Sequence, residues 1–229
     1  MISIMQPYFF PYIGYIQMVC QSNIFVHYDD VPYIKQGWIN RNRILINDNP
    51  SYFTLPLTKA SSNKNINEIY LDEEKFNRWK VKFIKTIEQN YSQSPYLKET
   101  KQMIYDVINT SSLKLSDISE DSIETCTRAL DCETQFIKSS QSFSNIKTNS
   151  KQRIYDICHS MKRYQYVNAT GGSILYTKEE FQENGIHLFF IESNLQSVLK
   201  NHFYMSILDV LLTYGLERTR SLIKEYRLI

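Results

Sequence analysis

The opening of the chain constrains its fold most strongly, because a strand, a loop, a helix and a second strand follow one another there. Ile2 to Met5 is short and apolar, and the proline-bounded run from Gln6 to Pro11 interrupts regular structure. An apolar helical pattern covers Tyr12 to Cys20, and Ile24 to Tyr28 is a second β-rich run. Parallel neighbouring strands need such a crossover, so this opening predicts a βαβ unit.

The rest of the chain alternates in the same way. Further strand patterns lie at Ile44–Ile46, Tyr52–Leu57, Ile69–Leu71, Thr134–Ile137, Tyr164–Val167 and His187–Ile191. Helical patterns lie at Asp72–Tyr91, Pro95–Ile108, Ser119–Leu130, Ser150–Met161, Lys178–Glu183 and Phe203–Tyr214, with Gly185 and Gly215 as stop signals. We therefore expect an α/β fold with a Rossmann-like, mostly parallel sheet and a helical insertion at about residues 72–131. A chain of 229 residues fits one domain, which we assign to residues 1–229.

Composition narrows the classes of protein. The first residues lack the basic and apolar segments of a signal peptide, and no stretch is apolar enough for a membrane span, so we expect a soluble, cytoplasmic protein. Cys20, Cys126, Cys132 and Cys158 show no CxxC spacing, and we expect four free thiols.

Net charge and histidine spacing bear on whether the protein binds nucleic acid or a metal ion. A net charge of +2 does not favour nucleic acid as a partner. His27, His187 and His202 lack HxxxH or paired Cys/His spacing, so we expect no metal and no cofactor. Ser206 and Asp209 are expected to cap a helix or bond to a neighbouring segment.

The loop after the first strand is a candidate ligand site, because ligands of parallel sheets often bind at this position. Its candidate contacts are Gln6, Tyr8, Tyr12 and Gly14, and Gly14 would allow close backbone approach. It matches neither GxGxxG nor a Walker A loop. The alternative is a stiff turn filled by aromatic side chains.

A second candidate site follows the second strand. Asp29 or Asp30 could act as a base, while Lys35, Arg41 and Arg43 could hold a diphosphate. On a strand, the two arginines would share one face. Trp38 and Asn40 lie in the same segment as candidate substrate contacts. The alternative is an exposed hairpin carrying Asp–Arg pairs.

The motifs MQPYFFPYIGYIQ, IFVHYDD and GWINRNRI resemble the opening blocks of the WbqC-like protein family. Later segments are similar to its later blocks, namely Ser139-Ser140, Arg153–Cys158, Tyr166–Gly172 with Leu175-Tyr176, and Ser206–Leu212. The resemblance spans nearly the whole chain and implies one WbqC-like domain. It implies a place in O-antigen and related lipopolysaccharide biosynthesis, and glycine transfer as a candidate reaction. It also brings Ser139 and Ser140 among the candidate substrate contacts.

Two further candidates lie in the last third of the chain. The turn with Asn168, Gly171 and Gly172 could offer backbone N–H groups to an anion or an oxyanion. Cys158 could accept an acyl group as a nucleophile, but its helical spacing equally fits a small buried apolar residue.

These observations define the functional hypotheses. The first is a transferase that acylates or aminoacylates the amine of a nucleotide-linked amino sugar, using an activated acyl or aminoacyl donor. The second is a non-catalytic module that binds a sugar nucleotide or a partner enzyme of the same pathway; a third, nucleic-acid binding, depends on residues 40–43 alone. The opening also resembles adenylyl-transferring Rossmann-like domains, in which case nucleotide would lie over Gln6 to Tyr15. Oligomeric state, including a homo-oligomer, stays open.

Overall fold

The computed structural model describes residues 1–146, 148 and 150–229. Its strands are β1 (Ile2–Met5), β2 (Ile24–His27), β3 (Arg41–Ile46), β4 (Asn49–Thr54), β5 (Leu57–Thr58), β6 (Tyr70–Leu71), β7 (Gln135–Lys138), β8 (Gln165–Ala169), β9 (His187–Ser193) and β10 (Tyr226–Leu228). Its α-helices are α1 (Ile13–Gln21), α2 (Glu73–Asn90), α3 (Leu97–Ile108), α4 (Leu115–Ala129), α5 (Ser139–Ser142), α6 (Ser150–Ser160), α7 (Lys178–Glu183), α8 (Gln196–Leu199) and α9 (Ile207–Leu222). Short 3-10 turns span Ile66–Glu68, Thr170–Ile174 and Lys200–His202.

The central sheet has the strand order β10-β9-β8-β1-β2-β7. Neighbours from β9 to β7 are parallel, and β10 adds an antiparallel edge to β9. Taken in chain order, the five parallel strands have the 3-2-1-4-5 arrangement of Rossmann-like sheets, so the expected fold class is confirmed. The direction in which the chain adds strands reverses between β1 and β8, which makes this gap the switch point of the sheet.

Both faces of the sheet are covered, because successive side chains of a strand point to opposite sides. On one face, Tyr15 and Val19 of α1 pack with Phe25, Val167 and Ile123 of α4. The opposite face buries a second cluster, with Ile4, Val26, Tyr166, Leu188, Ile154 and Ile157 of α6, and Phe181 of α7. The β1–α1 and β8–α7 connections therefore leave the sheet on opposite sides at the switch point.

The helical insertion contains α2, α3 and α4 between β2 and β7, as expected. The strand patterns before it do not join the central sheet: β3 pairs with β4, and β5 with β6, as separate antiparallel pairs. The β3–β4 turn explains this local pairing, since Asn47 and Asp48 both have positive φ, 49° and 61°, as in a two-residue hairpin. The hairpins, the insertion and α9 share one apolar core.

Two predicted helix boundaries were wrong. Helix α4 begins at Leu115, four residues before the predicted start. Helix α9 begins at Ile207, because the Ser206 side chain accepts a hydrogen bond from the Leu208 N–H and caps the helix there. Gly215 ends the first helical segment of α9, as expected, with φ 73° and ψ 172°, and a second helical segment follows it to Leu222. Asp72 caps α2 through the Lys75 N–H, and Gly185 has the positive φ of a helix stop, both as expected.

The expectation of four free thiols was wrong for two of them. Cys20, at the end of α1, and Cys132, after α4, form a disulfide with Cα atoms 5.1 Å apart. The two positions are 112 residues apart in the chain, so their spacing carries no sign that the ends of α1 and α4 are neighbours. Cys126 and Cys158 are free and buried.

In the part of the chain described here, no helix is long and apolar enough to cross a membrane.

Gly215 should be intolerant of any side chain. A Cβ there would lie 2.5 Å from the Tyr96 ring, and the backbone conformation is one that essentially glycine alone adopts. We predict that Gly215→Ala lowers the free energy of unfolding by about 1–3 kcal/mol, measured by urea denaturation.

Gly171→Ala is the matched control. A Cβ at Gly171 would meet no described atom within 4 Å, so its free energy of unfolding should stay within about 0.5 kcal/mol of wild type. Equal losses in the two variants would contradict the conformational argument for Gly215.

Candidate functional site

A cleft opens at the carboxyl ends of the parallel strands, at the switch point between β1 and β8. Its volume is about 240 Å³. It is lined by the start of α1, the turn after β8, the end of β9 and the segment before α9, through Tyr12, Gly14, Thr170, Ile191, Glu192, Ser193, Gln196, Phe203 and Tyr204. Ligands of doubly wound sheets bind in this crevice, outside the carboxyl ends of the strands.

The loop between β1 and α1 is held rigidly at several points. The Phe10 N–H donates to Ser122 Oγ at 2.9 Å, and the Phe10 carbonyl accepts from Asn42 Nδ2 at 2.7 Å and from Ser206 Oγ at 2.8 Å. The Tyr15 hydroxyl donates to the Gln6 carbonyl at 2.8 Å. The loop is therefore a stiff turn with buried aromatic residues, and it also carries the first wall of the cleft.

Tyr12 and Gly14 form that wall. A Cβ on Gly14 would lie 2.6 Å from Tyr12 Cε2, so the absence of a side chain lets the Tyr12 ring lie over the start of α1. Burial raises the pKa of Tyr12 to about 12, so its hydroxyl keeps its proton and can donate to a ligand. Tyr8 packs its ring against Tyr15, with centroids 5.3 Å apart, and Gln6 lies directly after β1.

Beside the cleft, two guanidiniums stack on aromatic rings. Arg41 and Arg43 lie over the Tyr52 ring, 4.7 and 5.8 Å from its centroid, and Arg43 also lies 5.0 Å from the Trp38 ring. Arg43 Nη2 donates to the Tyr204 carbonyl at 3.3 Å, which brings this guanidinium to the wall of the cleft. The Nε atom of Arg43 is buried without an acceptor among the described residues.

The other candidate residues between positions 35 and 41 contact the protein's own backbone and core or are exposed. Arg41 donates to the carbonyls of Gly37 and Gln36, so its guanidinium closes the turn before β3. Asn40 is buried, accepting from the Tyr33 hydroxyl at 2.8 Å and donating to the Leu55 carbonyl at 3.2 Å. The amide oxygen and the amide nitrogen of Asn40 are therefore both hydrogen-bonded within the protein. Lys35 is exposed in the same turn.

Asp29 and Asp30 follow β2 and meet the segments that follow β7. The Asp29 carboxylate is buried and accepts from the N–H and the hydroxyl of Ser140. Asp30 pairs with Arg153 of α6 at 2.5 Å, and the same guanidinium donates to Ser139 Oγ at 3.2 Å. Asp30 Oδ1 is buried with no hydrogen-bond donor among the residues described, so it keeps a free acceptor position.

A charged group beside these aspartates was missed in the sequence. Lys138, at the end of β7, lies 2.8 Å from Asp117 and 2.6 Å from Glu120, and buried His27 lies 3.1 Å from Glu124. Glu120 is 1% exposed, and burial raises its pKa to about 8. The signal was present: Asp117, Glu120, Asp121 and Glu124 lie at helical spacing on one face of α4.

Arg153 and the far wall of the cleft were also missed. Arg153 lay within a block that resembles the family, but it was given no role. Thr170, Ile191, Glu192 and Ser193 lie at or directly after the ends of β8 and β9, so the strand-end rule could have selected them. The described residues contain no group of three His, Cys, Asp or Glu side chains able to hold a metal ion.

The Asn168 turn lies at the end of β8, next to the cleft residue Thr170. Asn168 is buried, and its Oδ1 accepts from the Ala169 N–H at 2.8 Å. A Cβ on Gly172 would lie 2.7 Å from Asn168 Nδ2, whereas Gly171 is exposed. Gly172 is thus needed for packing, and Gly171 remains free to face a ligand.

Cys158 lies in the core between α6 and the sheet. Its side chain is 0% exposed, and burial raises the pKa of its thiol to about 12. A protonated thiol is a weak nucleophile. This placement supports the apolar role of Cys158 rather than the nucleophilic one.

Asp209 and His202 anchor the segment that supplies Phe203 and Tyr204 to the cleft. The buried Asp209 carboxylate accepts from the Leu45 N–H at 3.1 Å and from the Tyr91 hydroxyl, and lies 2.5 Å from His202 Nδ1. Asp209 therefore bonds to neighbouring segments, as expected. One carboxylate ties β3, the end of α2 and the 3-10 turn at residues 200–202 to α9.

The fold and the cleft define a doubly wound α/β protein with an open cleft at its switch point. The family model for the WbqC-like protein family matches residues 6–221. The chain therefore belongs to the WbqC-like protein family.

One curated relative is similar along nearly its whole length. It is the uncharacterized protein Rv1507c of Mycobacterium tuberculosis, 23% identical over 223 residues, which cover 94% of each chain. No solved structure gives a significant match.

The anchor at Asp209 predicts a pH-dependent contribution to stability. The hydrogen bond to Asp209 raises the pKa of His202 above its ordinary value of 6.5. Because the folded state holds this proton more tightly, the stabilisation is complete below about pH 6.5 and is lost as pH rises through the folded-state pKa. We predict that the difference in unfolding free energy between wild type and His202→Gln, measured in urea, shrinks as pH rises from about 6 to about 9. A difference that stays constant over that range would contradict this reading of the anchor.

Proposed function

We propose that this protein is a transferase of surface-polysaccharide and O-antigen biosynthesis. It acylates or aminoacylates the amine of a nucleotide-linked amino sugar, with glycyl as one candidate group. The observation that carries the proposal is the cleft at the switch point between β1 and β8, beside the guanidinium of Arg43. Family membership supports the pathway, and the cleft supports the class of substrate.

The nucleoside end of the substrate fits the cleft. Tyr12 and Phe203 offer aromatic surface, with ring centroids 6.1 Å apart and nearly perpendicular planes. Glu192 and Ser193, at the end of β9, offer acceptors for ribose hydroxyls. Aromatic faces combined with polar groups that fix orientation are typical of small-molecule sites.

Arg43 is the best placed candidate for the phosphates. Its guanidinium lies at the cleft wall and is fixed by stacking on Trp38 and Tyr52, and its buried Nε has no acceptor among the described residues. Arginine binds phosphate through paired, charge-assisted hydrogen bonds. Arg41 and Lys35 stay secondary candidates, because Arg41 is bonded to backbone carbonyls and Lys35 is exposed on the turn.

Asp30 is the candidate base for the reacting end. The amine must lose a proton to attack an activated carbonyl, and Asp30 keeps an acceptor oxygen that faces no described donor. Arg153 positions this carboxylate, while Asp29 is occupied by Ser140 and holds the start of α5. Exposed N–H groups near Gly171 are candidates for stabilising the oxyanion.

One observation favours the alternative, a non-catalytic module that binds the same sugar nucleotide. Both aspartates already have partners in the fold, Asp29 with Ser140 and Asp30 with Arg153. Tight binding without product from any acyl or aminoacyl donor would select this alternative.

Arg43→Ala should weaken binding of a nucleotide-linked amino sugar at least about tenfold, because a hydrogen bond to a charged group contributes about 1.5–3 kcal/mol. Arg41→Ala should weaken this binding less, because the Arg41 guanidinium is already hydrogen-bonded to the backbone. Calorimetry with the nucleotide sugar that most raises the melting temperature gives both affinities. Arg78→Ala, on an exposed face of α2, is the matched control. An unchanged affinity for Arg43→Ala would remove the phosphate assignment.

Asp30→Asn should reduce turnover by about 100-fold or more while leaving the affinity for the nucleotide sugar within a few fold. Product is detected by mass spectrometry with a panel of activated glycyl and acyl donors. Asp106→Asn, at an exposed position of α3, is the control. Equal losses in turnover and affinity would show that Asp30 binds the substrate rather than acting as a base.

A further inference from the structure

Large apolar side chains are exposed next to the mouth of the cleft. Ile174, the last residue of the 3-10 turn that begins at the cleft residue Thr170, is 88% exposed, and Leu175 after it is 61% exposed. Ser173 Oγ donates to the Thr170 carbonyl at 2.8 Å within this turn. Two adjacent aliphatic residues with such high solvent exposure are unlike the isolated apolar residues of ordinary protein surfaces.

The opposite wall of the cleft carries further exposed apolar side chains. Tyr204 is 55% exposed and lines the cleft, and its hydroxyl accepts from Gln196 Nε2 at 2.9 Å on α8, where Val198 is also exposed. Tyr52, 54% exposed, joins this wall through Arg43. We call the exposed set Tyr52, Ile174, Leu175, Val198 and Tyr204 the cleft rim.

Positive charge is interleaved with the cleft rim. Arg41 and Arg43 lie over Tyr52, and exposed Lys200 follows α8. Glu192 is the one carboxylate among the described residues that line the cleft, and it pairs with Arg227. The surface around the cleft is therefore apolar, tyrosine-rich and cationic.

We propose that the cleft rim docks on an anionic lipid bilayer. The exposed side chains of Ile174 and Leu175 suit insertion among acyl chains, and tyrosines prefer the level of the headgroups. Arginine and lysine side chains near such a surface are attracted by its negative potential. Docking would hold the mouth of the cleft at the bilayer. This proposal does not depend on the identity of the substrate.

The test is co-sedimentation of the full chain with vesicles of equal parts phosphatidylglycerol and phosphatidylcholine, compared with vesicles of phosphatidylcholine alone. Wild type should bind the anionic vesicles, and added salt should weaken binding. The double variant Ile174→Asp/Leu175→Asp should bind at least about tenfold more weakly, because it loses apolar insertion and adds charge that the lipid repels. Val81→Asp, at a position of α2 that is 58% exposed, is the matched control and should bind like wild type.

Three outcomes would overturn the proposal. The first is that wild type stays in solution with anionic vesicles, and the second is that it binds neutral vesicles equally well. The third is that the double variant and Val81→Asp lose equal amounts of vesicle affinity. A wild-type dimer that the double variant dissociates without lipid would assign the surface to a second copy of the chain. A double variant that binds vesicles normally but loses stabilisation by nucleotide sugars would make the turn a lid. Nucleotide-sugar binding is scored separately, so failure of the docking proposal leaves the proposed function standing.

Discussion

The parallel pairing of β1 with β8 is the constraint on which the rest of the structure depends. Because β1 lies between β2 and β8, and the chain adds strands in opposite directions from it, the connections that follow β1 and β8 leave on opposite faces. The carboxyl ends of β1 and β8 are therefore left uncovered between these two connections. A cleft forms there, and residues at or after the strand ends line it.

The polar residues around this edge are fixed before a ligand arrives. The Phe10 carbonyl, Ser122, Asn42 and Ser206 lock the first loop, and Asp209 holds the segment of Phe203. Such buried hydrogen bonds contribute modestly when made and are costly when one partner is lost. Their value here is positional, since they keep Tyr12 and Arg43 in place and reduce the ordering cost of binding.

Local sequence pattern predicted the fold class, but it did not predict the separate hairpins, the disulfide or most of the residues that line the cleft. Strands β1, β2 and β9 and helices α1, α2 and α7 follow from apolar spacing, caps and glycine stops, and the opening βαβ unit correctly implied a parallel sheet. The pairing of Cys20 with Cys132 could not be foreseen, because it depends on the neighbouring ends of two helices distant in sequence. The acidic face of α4 was visible in the sequence, but its contact with Lys138 of β7 forms only in the folded protein. Gly215 has a non-helical backbone conformation, as the stop signal indicated, and a second helical segment follows it to Leu222.

We propose that a nucleotide-linked ligand occupies the cleft between β1 and β8. Hydrogen–deuterium exchange with and without the nucleotide sugar that most stabilises the protein tests this directly. We expect slower exchange in peptides that cover residues 12–16, 170–175 and 191–196, with little change in α2 and α3. Protection confined to the insertion, or to α6 and the residues around Asp30 without the cleft, would contradict it.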